Sequence, residues 1–509
     1  MPCFFRYLAV LLLALASACH SAPPPPGPLR RQLPAQQVLA DLHLLQRLKE
    51  AADAGLYKYH AKAQVDSAFA AARARVTGPL TVLEAYRLVA QLTDYEGSLH
   101  NETTLPDSVQ AAMQAETAFF PYPLKLVAGQ LVLNTTRAPL PLGTIVHSLN
   151  GIPAERLVRE LGRYYTTDGL NRTGKQIGLA ANFPEYFRLE YGPQAAFAVR
   201  YSAPAAPTDT LRATLPASTY RAYQQAFAAR YSRLLDHNDF DDPLFRYAFR
   251  LLPRQRAALL TLPTFSLGED STAGHHQYAR FLDSCFRVLR RTPAITSLVV
   301  DVRANGGGDD NNDMLAFTYL AQRPFREHRT ATVSFGRVPY RRYLSVEKDT
   351  AERATIVAEA AQVLRKEFTA GPDGRWHGNT RGNPLFYPQA NCFRGQVYLL
   401  ISPRAASAGS MFAAMVRGNT PAVVIGEETM GGYYGHTGHG TLDYTLPHTG
   451  IQVSFAWVDL VQEVPRRPAQ PPGRGVLPDY VARQSLADFL ANREIPLRTA
   501  LGLIEARQR

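Results

Sequence analysis

The stretch "QVYLLISPRAASAGSMFAAMVRG", Gln396–Gly418, decides how this chain is read. Its first half is a continuous apolar run, the pattern of a strand buried on both faces. Its second half carries apolar residues at helical spacing. Between the two stands Ser407, with only Ala405, Ala406, Ala408 and Gly409 around it. Two readings meet there. Serine is a favoured N-cap, so Ser407 could simply satisfy the first turn of a helix. A serine at a sharp strand-to-helix turn is also where a nucleophile sits. Unpaired backbone N–H groups and the positive end of the helix dipole there receive negative charge. Taken alone, the stretch does not choose between them.

Outward from it, apolar strands and helices keep alternating: "AALLTLPTF", "YARFLDSCFRVLRR", "ITSLVVDVR", "DMLAFTYLAQ" and "AVVIGEE". That alternation predicts an α/β layered domain over residues 251–509. The strand "ITSLVVDVR" runs into Gly306-Gly307-Gly308. Three glycines carry a backbone-entropy cost, so they serve either a tight turn or a close approach of bare N–H groups to an anion. Asp309, Asp310 and Asp313 follow, but their spacing matches no standard calcium loop, and no metal site is expected.

The rest of the chain divides by pattern. Residues 37–116 repeat apolar positions at helical spacing and predict a helical domain that closes on the polar loop "TDYEGSLHNETTLP". Residues 117–217 change to short β-patterned runs. Within them "LGTIVHSLNGIPAERLVREL" reads as turn, strand, Asn150-Gly151 turn and helix, a pattern that resembles a PDZ domain. Residues 218–250 read as a helical connector.

With 46% hydrophobic residues the chain has ample material for cores. Its net charge of +12 comes from scattered arginines rather than a basic run, so no nucleic-acid partner is expected. Residues 1–19 have a basic Arg6, a short apolar run and small residues before Cys19, the pattern of a secretory signal. "LASAC" also resembles a bacterial lipobox. The expectation is export to the periplasm or cell envelope, with any membrane attachment made through a lipid on Cys19. Residues 20–36, rich in proline, would then be a stiff linker. Maturation would leave Cys285 and Cys392, either as a disulfide or as two thiols.

Four strings carry a family resemblance: "LVVDVRANGGG", "SPRAASAGSMFAAM", "VVIGEETMGGYYG" and the closing "GVLPDYV". In order and spacing they resemble the C-terminal-processing (tail-specific) serine peptidases, a family that includes the tricorn protease core. The resemblance implies a crotonase- or Clp-protease-like α/β catalytic core preceded by a helical domain and a PDZ-like β domain. It implies Ser407 as nucleophile, with an oxyanion hole from the N–H of Ala408 and a glycine of the Gly307-Gly308 pair. Gly431 and Gly432 are read as lining the path of the substrate. Members with a Ser/Lys pair carry a lysine where this chain has Gly432, and no lysine follows Lys366. The tricorn-like branch instead uses a histidine in a Gly-x-x-His pattern after the helical domain, which places His100 as the base. His436 and His439 in "GHTGHGT" are rival bases or a metal pair. No glutamate precedes Gly475, so the resemblance supplies no acidic partner for His100. Glu427 and Glu428 are read as capping or ion-pairing. The expected activity is cleavage of extended polypeptide through an acyl-enzyme, without a cofactor. A catalytically inactive protein binding peptide or hydrophobic ligand on the same scaffold is the alternative.

Overall fold

The computed structural model describes residues 27–231, 247–309, 311–346 and 350–509. The signal-like segment, Cys19 and Asp310 lie outside them. At the centre is a six-stranded sheet in the order Ala248–Leu252, Ala257–Thr261, Ser297–Asp301, Gln396–Ile401, Val423–Gly426 and Tyr480–Val481. Only its first strand is antiparallel, so the expected connector ends as an edge strand of this sheet. The middle strands are solid runs such as "SLVVD" because helices cover both faces. Ala273–Arg291 and Ala408–Asn419 share a core with Leu298, Val300 and Leu399. Ile495–Gln508 packs with Val299, Tyr398 and Leu400.

A second sheet, not foreseen from the sequence, occupies much of 251–509. It is antiparallel, in the order Phe368–Ala370, Trp376–Gly378, His328–Val333, Gln452–Gln462 and Thr437–Thr445. Its long strands alternate apolar and polar positions over part of their length, which hides them among the solid apolar runs of the first sheet. The helices Ala35–Ala52, Lys62–Ala74 and Val82–Glu96 pack against this sheet. Leu42, Leu45 and Leu48 lie in one core with Val453, Phe455 and Trp457 of this sheet. The short strand Glu102–Thr104 even pairs with Gln452–Ser454. An amphipathic helix needs an apolar partner surface, and here that surface comes from the far end of the chain.

Residues 117–217 form an antiparallel sheet in the order 206–216, 196–203, 145–149, 130–133 and 124–127, with helices Ala154–Leu161 and Lys175–Tyr191 against it. Asn150 and Gly151 have φ of 49° and 79°, which fits a type I′ turn between Ile145–Leu149 and Ile152–Pro153. Cys285 and Cys392 are free thiols. Among the described residues no helix is long and apolar enough to cross a membrane.

Candidate active site

Neighbouring parallel strands deliver neighbouring loops. Ser297–Asp301 and Gln396–Ile401 pair in register, so the glycine turn and the serine turn emerge side by side at their carboxyl ends. Both loops therefore stand on the same end of the sheet. Asn305, fully buried, ties the two loops together. Its carbonyl accepts from Ala406 N–H (3.1 Å), while its side chain accepts from Gly307 N–H (2.9 Å) and donates to Leu262 O (2.9 Å). Gly409 makes the approach possible, since a Cβ there would lie 2.3 Å from Asn305 O.

The two readings of Ser407 are now distinguishable. Ser407 occupies the N-cap position of Ala408–Asn419, but its side chain makes no capping hydrogen bond. Its backbone is at φ 47°, ψ −131°, a left-handed conformation that costs on the order of 1–3 kcal/mol and clusters at functional sites. Instead the hydroxyl meets His100 Nε2 at 3.1 Å.

His100 arrives from the N-terminal region. Helix Val82–Glu96 starts with a capping box between Thr81 and Glu84 and stops at Gly97 in the left-handed conformation (φ 72°). Three contacts then fix the turn. Leu99 N–H donates to Asp168 Oδ1 (3.0 Å), Ser98 and Thr437 hydroxyls meet at 2.6 Å, and Gly169 N–H donates to Gly97 O (2.7 Å). Beneath lies a buried charged group. Lys49 Nζ donates to Glu96 Oε2 (2.6 Å). Asn101 Nδ2 donates to Glu96 Oε2 (2.7 Å) and to Asp53 Oδ2 (3.3 Å). Burial pushes the Asp53 and Asp168 carboxyls up to about 7.

Burial lowers the His100 pKa to about 4, and the Thr437 backbone opposes this only in part. The ring is therefore neutral at pH 7 and can accept a proton. Nδ1 has no partner of ordinary hydrogen-bond geometry among the described residues. His436 is fully buried and tilted against His100, with ring centroids 5.3 Å apart, and burial lowers its pKa strongly. His439 faces away, toward Glu327 and His328. Neither rival histidine has a hydrogen bond to Ser407.

Gly307 and Gly308 belong to the loop that packs beside Ser407. A Cβ on Gly307 would come 2.7 Å from Ser407 Cβ and 3.2 Å from Ala408 N. Its own N–H, however, is already donated to Asn305 Oδ1, which removes Gly307 as an oxyanion donor. No hydrogen bond is made by the N–H groups of Gly308 or Ala408 among the described residues. The expectation for Gly431 and Gly432 is also corrected. Both are buried, Gly431 packed on Ser410 and Leu99, Gly432 donating its N–H to Asp168 Oδ2 (2.8 Å). Asp168 thus bridges the histidine turn to the loop after Val423–Gly426. Sequence reasoning missed it, since a lone "TDG" reads only as a turn. Glu427 pairs with Arg483, and Glu428 with Arg474 and Gly475 N–H. Asp309 caps Gly268 N–H, and the described residues give it no metal-binding partners.

A cleft of about 840 Å³ opens at His100. Gly306, Arg404, Ala406 and Met430 line it together with Glu102–Thr104, Tyr164, Tyr165 and Tyr186. A second cavity of about 280 Å³, between Lys125, Arg172 and Arg483, contains neither His100 nor the glycine turn.

Residues 256–446 match peptidase family S41. Among solved structures, mature CPAF complexed with lactacystin is similar at 14% identity and a TM-score of 0.59. That match covers 92% of this chain and 97% of that one. The photosystem II D1 C-terminal processing protease is similar at 14% identity and a TM-score of 0.37, covering 88% and 93%. The tricorn protease is similar at 14% identity and a TM-score of 0.36, covering 93% of this chain and 37% of that one. No curated protein matches the sequence.

Proposed function

We propose, from the premise that residues 256–446 are a domain of peptidase family S41, that this chain is an exported serine endopeptidase acting on extended polypeptide. The observation that carries the reading is the Ser407 hydroxyl, unused as a cap and 3.1 Å from His100 Nε2. His100 takes the hydroxyl proton as Ser407 Oγ attacks the peptide carbonyl. The oxyanion then lies against the N–H groups of Ala408 and Gly308, one such donor being worth roughly 3 kcal/mol in the transition state. His100 returns the proton to the leaving amine, the acyl-enzyme forms, and a water activated by the same ring releases it. A peptide would enter extended, along the cleft lined by Ala406, Gly306 and the Glu102–Thr104 strand. The signal-like residues 1–19 support export.

A fluorophosphonate probe tests this. Covalent capture mapped to Ser407, absent in Ser407→Ala, is the expected result, together with turnover of a casein-like chain that falls by ~10⁵-fold or more in the variant. One feature favours a second reading, a non-catalytic binding protein: His100 Nδ1 has no carboxylate partner. A folded chain that the probe does not label, yet that still binds peptide, supports that reading and overturns the first.

A further inference from the structure

Outside the active site, Glu327, His328 and His439 converge. Each offers one ligand atom, and these atoms all lie within 4.8 Å of one another. Glu327 Oε2 is 3.7 Å from His328 Nδ1, and Glu327 Oε1 is 3.8 Å from His439 Nε2. These are too long for hydrogen bonds. They are close to the roughly 3.4 Å between donors that each sit ~2.1 Å from a tetrahedral Zn²⁺.

The second observation is His328 itself. The residue is 3% exposed, and its Nδ1 has no hydrogen-bond partner among the described residues. Leaving a buried donor or acceptor orphaned is costly, and a metal bond would satisfy it. The fold brings the ligands together from two strands that flank a third. His328 opens the strand His328–Val333, which pairs with one edge of Gln452–Gln462, and Thr437–Thr445 pairs with the other edge. The second pairing breaks register between Gly438 and Thr441, and the bulged His439 has φ 56°. Bulges re-aim side chains. This one turns His439 toward His328, with ring centroids 6.1 Å apart. A cavity of about 10 Å³, lined by both histidines, Glu367, Ala331, Phe368 and Leu460, adjoins them. That is room for about one water, the usual fourth ligand when the protein supplies three.

We infer that Glu327, His328 and His439 form a divalent transition-metal site of the two-histidine, one-carboxylate kind, best suited to Zn²⁺. Imidazole and carboxylate donors in a small, mostly buried pocket favour Zn²⁺ over the oxygen-seeking Mg²⁺ and Ca²⁺. The site joins the start of one strand to the bulge of another across Gln452–Gln462. It uses neither Ser407 nor His100, so it stands or falls apart from the hydrolase reading.

The test uses the untagged chain stripped with chelator and titrated with Zn²⁺ alone by calorimetry. One equivalent should bind. His439→Asn keeps a residue that tolerates the left-handed backbone and should weaken binding by at least ~100-fold, as should Glu327→Gln. His100→Asn should leave it unchanged. Co²⁺ needs no variant: visible bands of a four- or five-coordinate nitrogen–oxygen site are expected on the wild-type chain. Absence of saturable Zn²⁺ binding, an octahedral Co²⁺ spectrum, or binding that survives His439→Asn but is lost in His100→Asn overturns the inference.

Discussion

The two halves of the candidate active site are built differently. The serine side is mostly backbone: two loops leave adjacent parallel strands, and the carbonyl and side chain of Asn305 lock one to the other. Its residues are small because the chemistry needs N–H groups and empty space. The histidine side leans more on side chains. His100 is held by Asp168, by the Ser98–Thr437 hydroxyl contact and by the Lys49–Glu96–Asn101 group, and these partners come from four separate stretches of sequence. The first half is local and rigid. The second depends on a core shared between the N-terminal helices and the antiparallel sheet. The contrast teaches that the position of Ser407 follows from adjacent strand ends, whereas the position of His100 depends on contacts across the assembled fold.

If that contrast is right, deleting the base should hurt almost as much as deleting the nucleophile. His100→Ala should lower kcat by about 10⁴-fold, at the top of the range for general-base removal, with peptide binding kept. His436→Ala serves as the comparison in the same turnover assay. A larger loss there than in His100→Ala would exchange the roles of the two rings.

The serine side should break sterically. Gly307→Ala places a methyl 2.7 Å from Ser407 Cβ, at a φ of 109° that side chains rarely adopt. Displacing the nucleophile from its oxyanion donors should lower kcat by ~10²–10³-fold, measured beside the labelling rate of Ser407. Gly151→Ala is the contrasting glycine change. Its Cβ meets nothing within 4 Å, so only the backbone strain of about 1–2 kcal/mol is expected, without loss of turnover.

These particulars show what the sequence made legible. Ser407, the glycine turn and the buried parallel strands were readable because each is encoded locally, by small residues after an apolar run. His100 was readable only through the resemblance of "GSLH" to a known pattern. Two things were not. The antiparallel sheet was masked because Thr437–Thr445 and Gln452–Gln462 are half-buried strands lying among solid apolar runs. The positioning role of Asp168 was invisible because it consists of accepting two backbone N–H groups, from Leu99 and Gly432, distant in sequence from each other. The role of Gly307 was also misread. Its value is the absence of a side chain, not its N–H.

Asp168 gives the next test of the histidine side. Asp168→Asn keeps one oxygen for Leu99 or Gly432 but not for both. The turn should shift by a fraction of an ångström and kcat should fall by ~10–100-fold, while fluorophosphonate still finds Ser407 more slowly. A wild-type rate would leave the turn held by Thr437 and Gly169 alone.

The smallest expected effect separates the two sides by pH. His100 must be neutral to accept the Ser407 proton, and burial holds its pKa at about 4. An exposed histidine near ~6.5 would be about nine-tenths protonated at pH 5.5, so activity would have fallen roughly tenfold there. Here the His100 limb of kcat/KM should lie near pH 4, and any fall nearer pH 7 belongs to Asp168, whose raised carboxyl gains its proton there. Stability carries the opposite cost. Between about 6.5 and 4 the unfolded chain binds a proton at position 100 that the folded chain refuses, so acid lowers stability through this window. Asp53 and Asp168, raised to about 7, tilt the other way, because there the folded chain holds protons that the unfolded chain has released. The total slope therefore mixes both. The difference between the wild-type chain and His100→Asn isolates the histidine, and denaturant melts of the two should diverge as pH falls from 6.5 toward 4, with the variant the less acid-sensitive. An acid limb near 6.5 that persists in Asp168→Asn, or melts that run parallel, would mean that His100 is solvated and that the cleft lets water reach it.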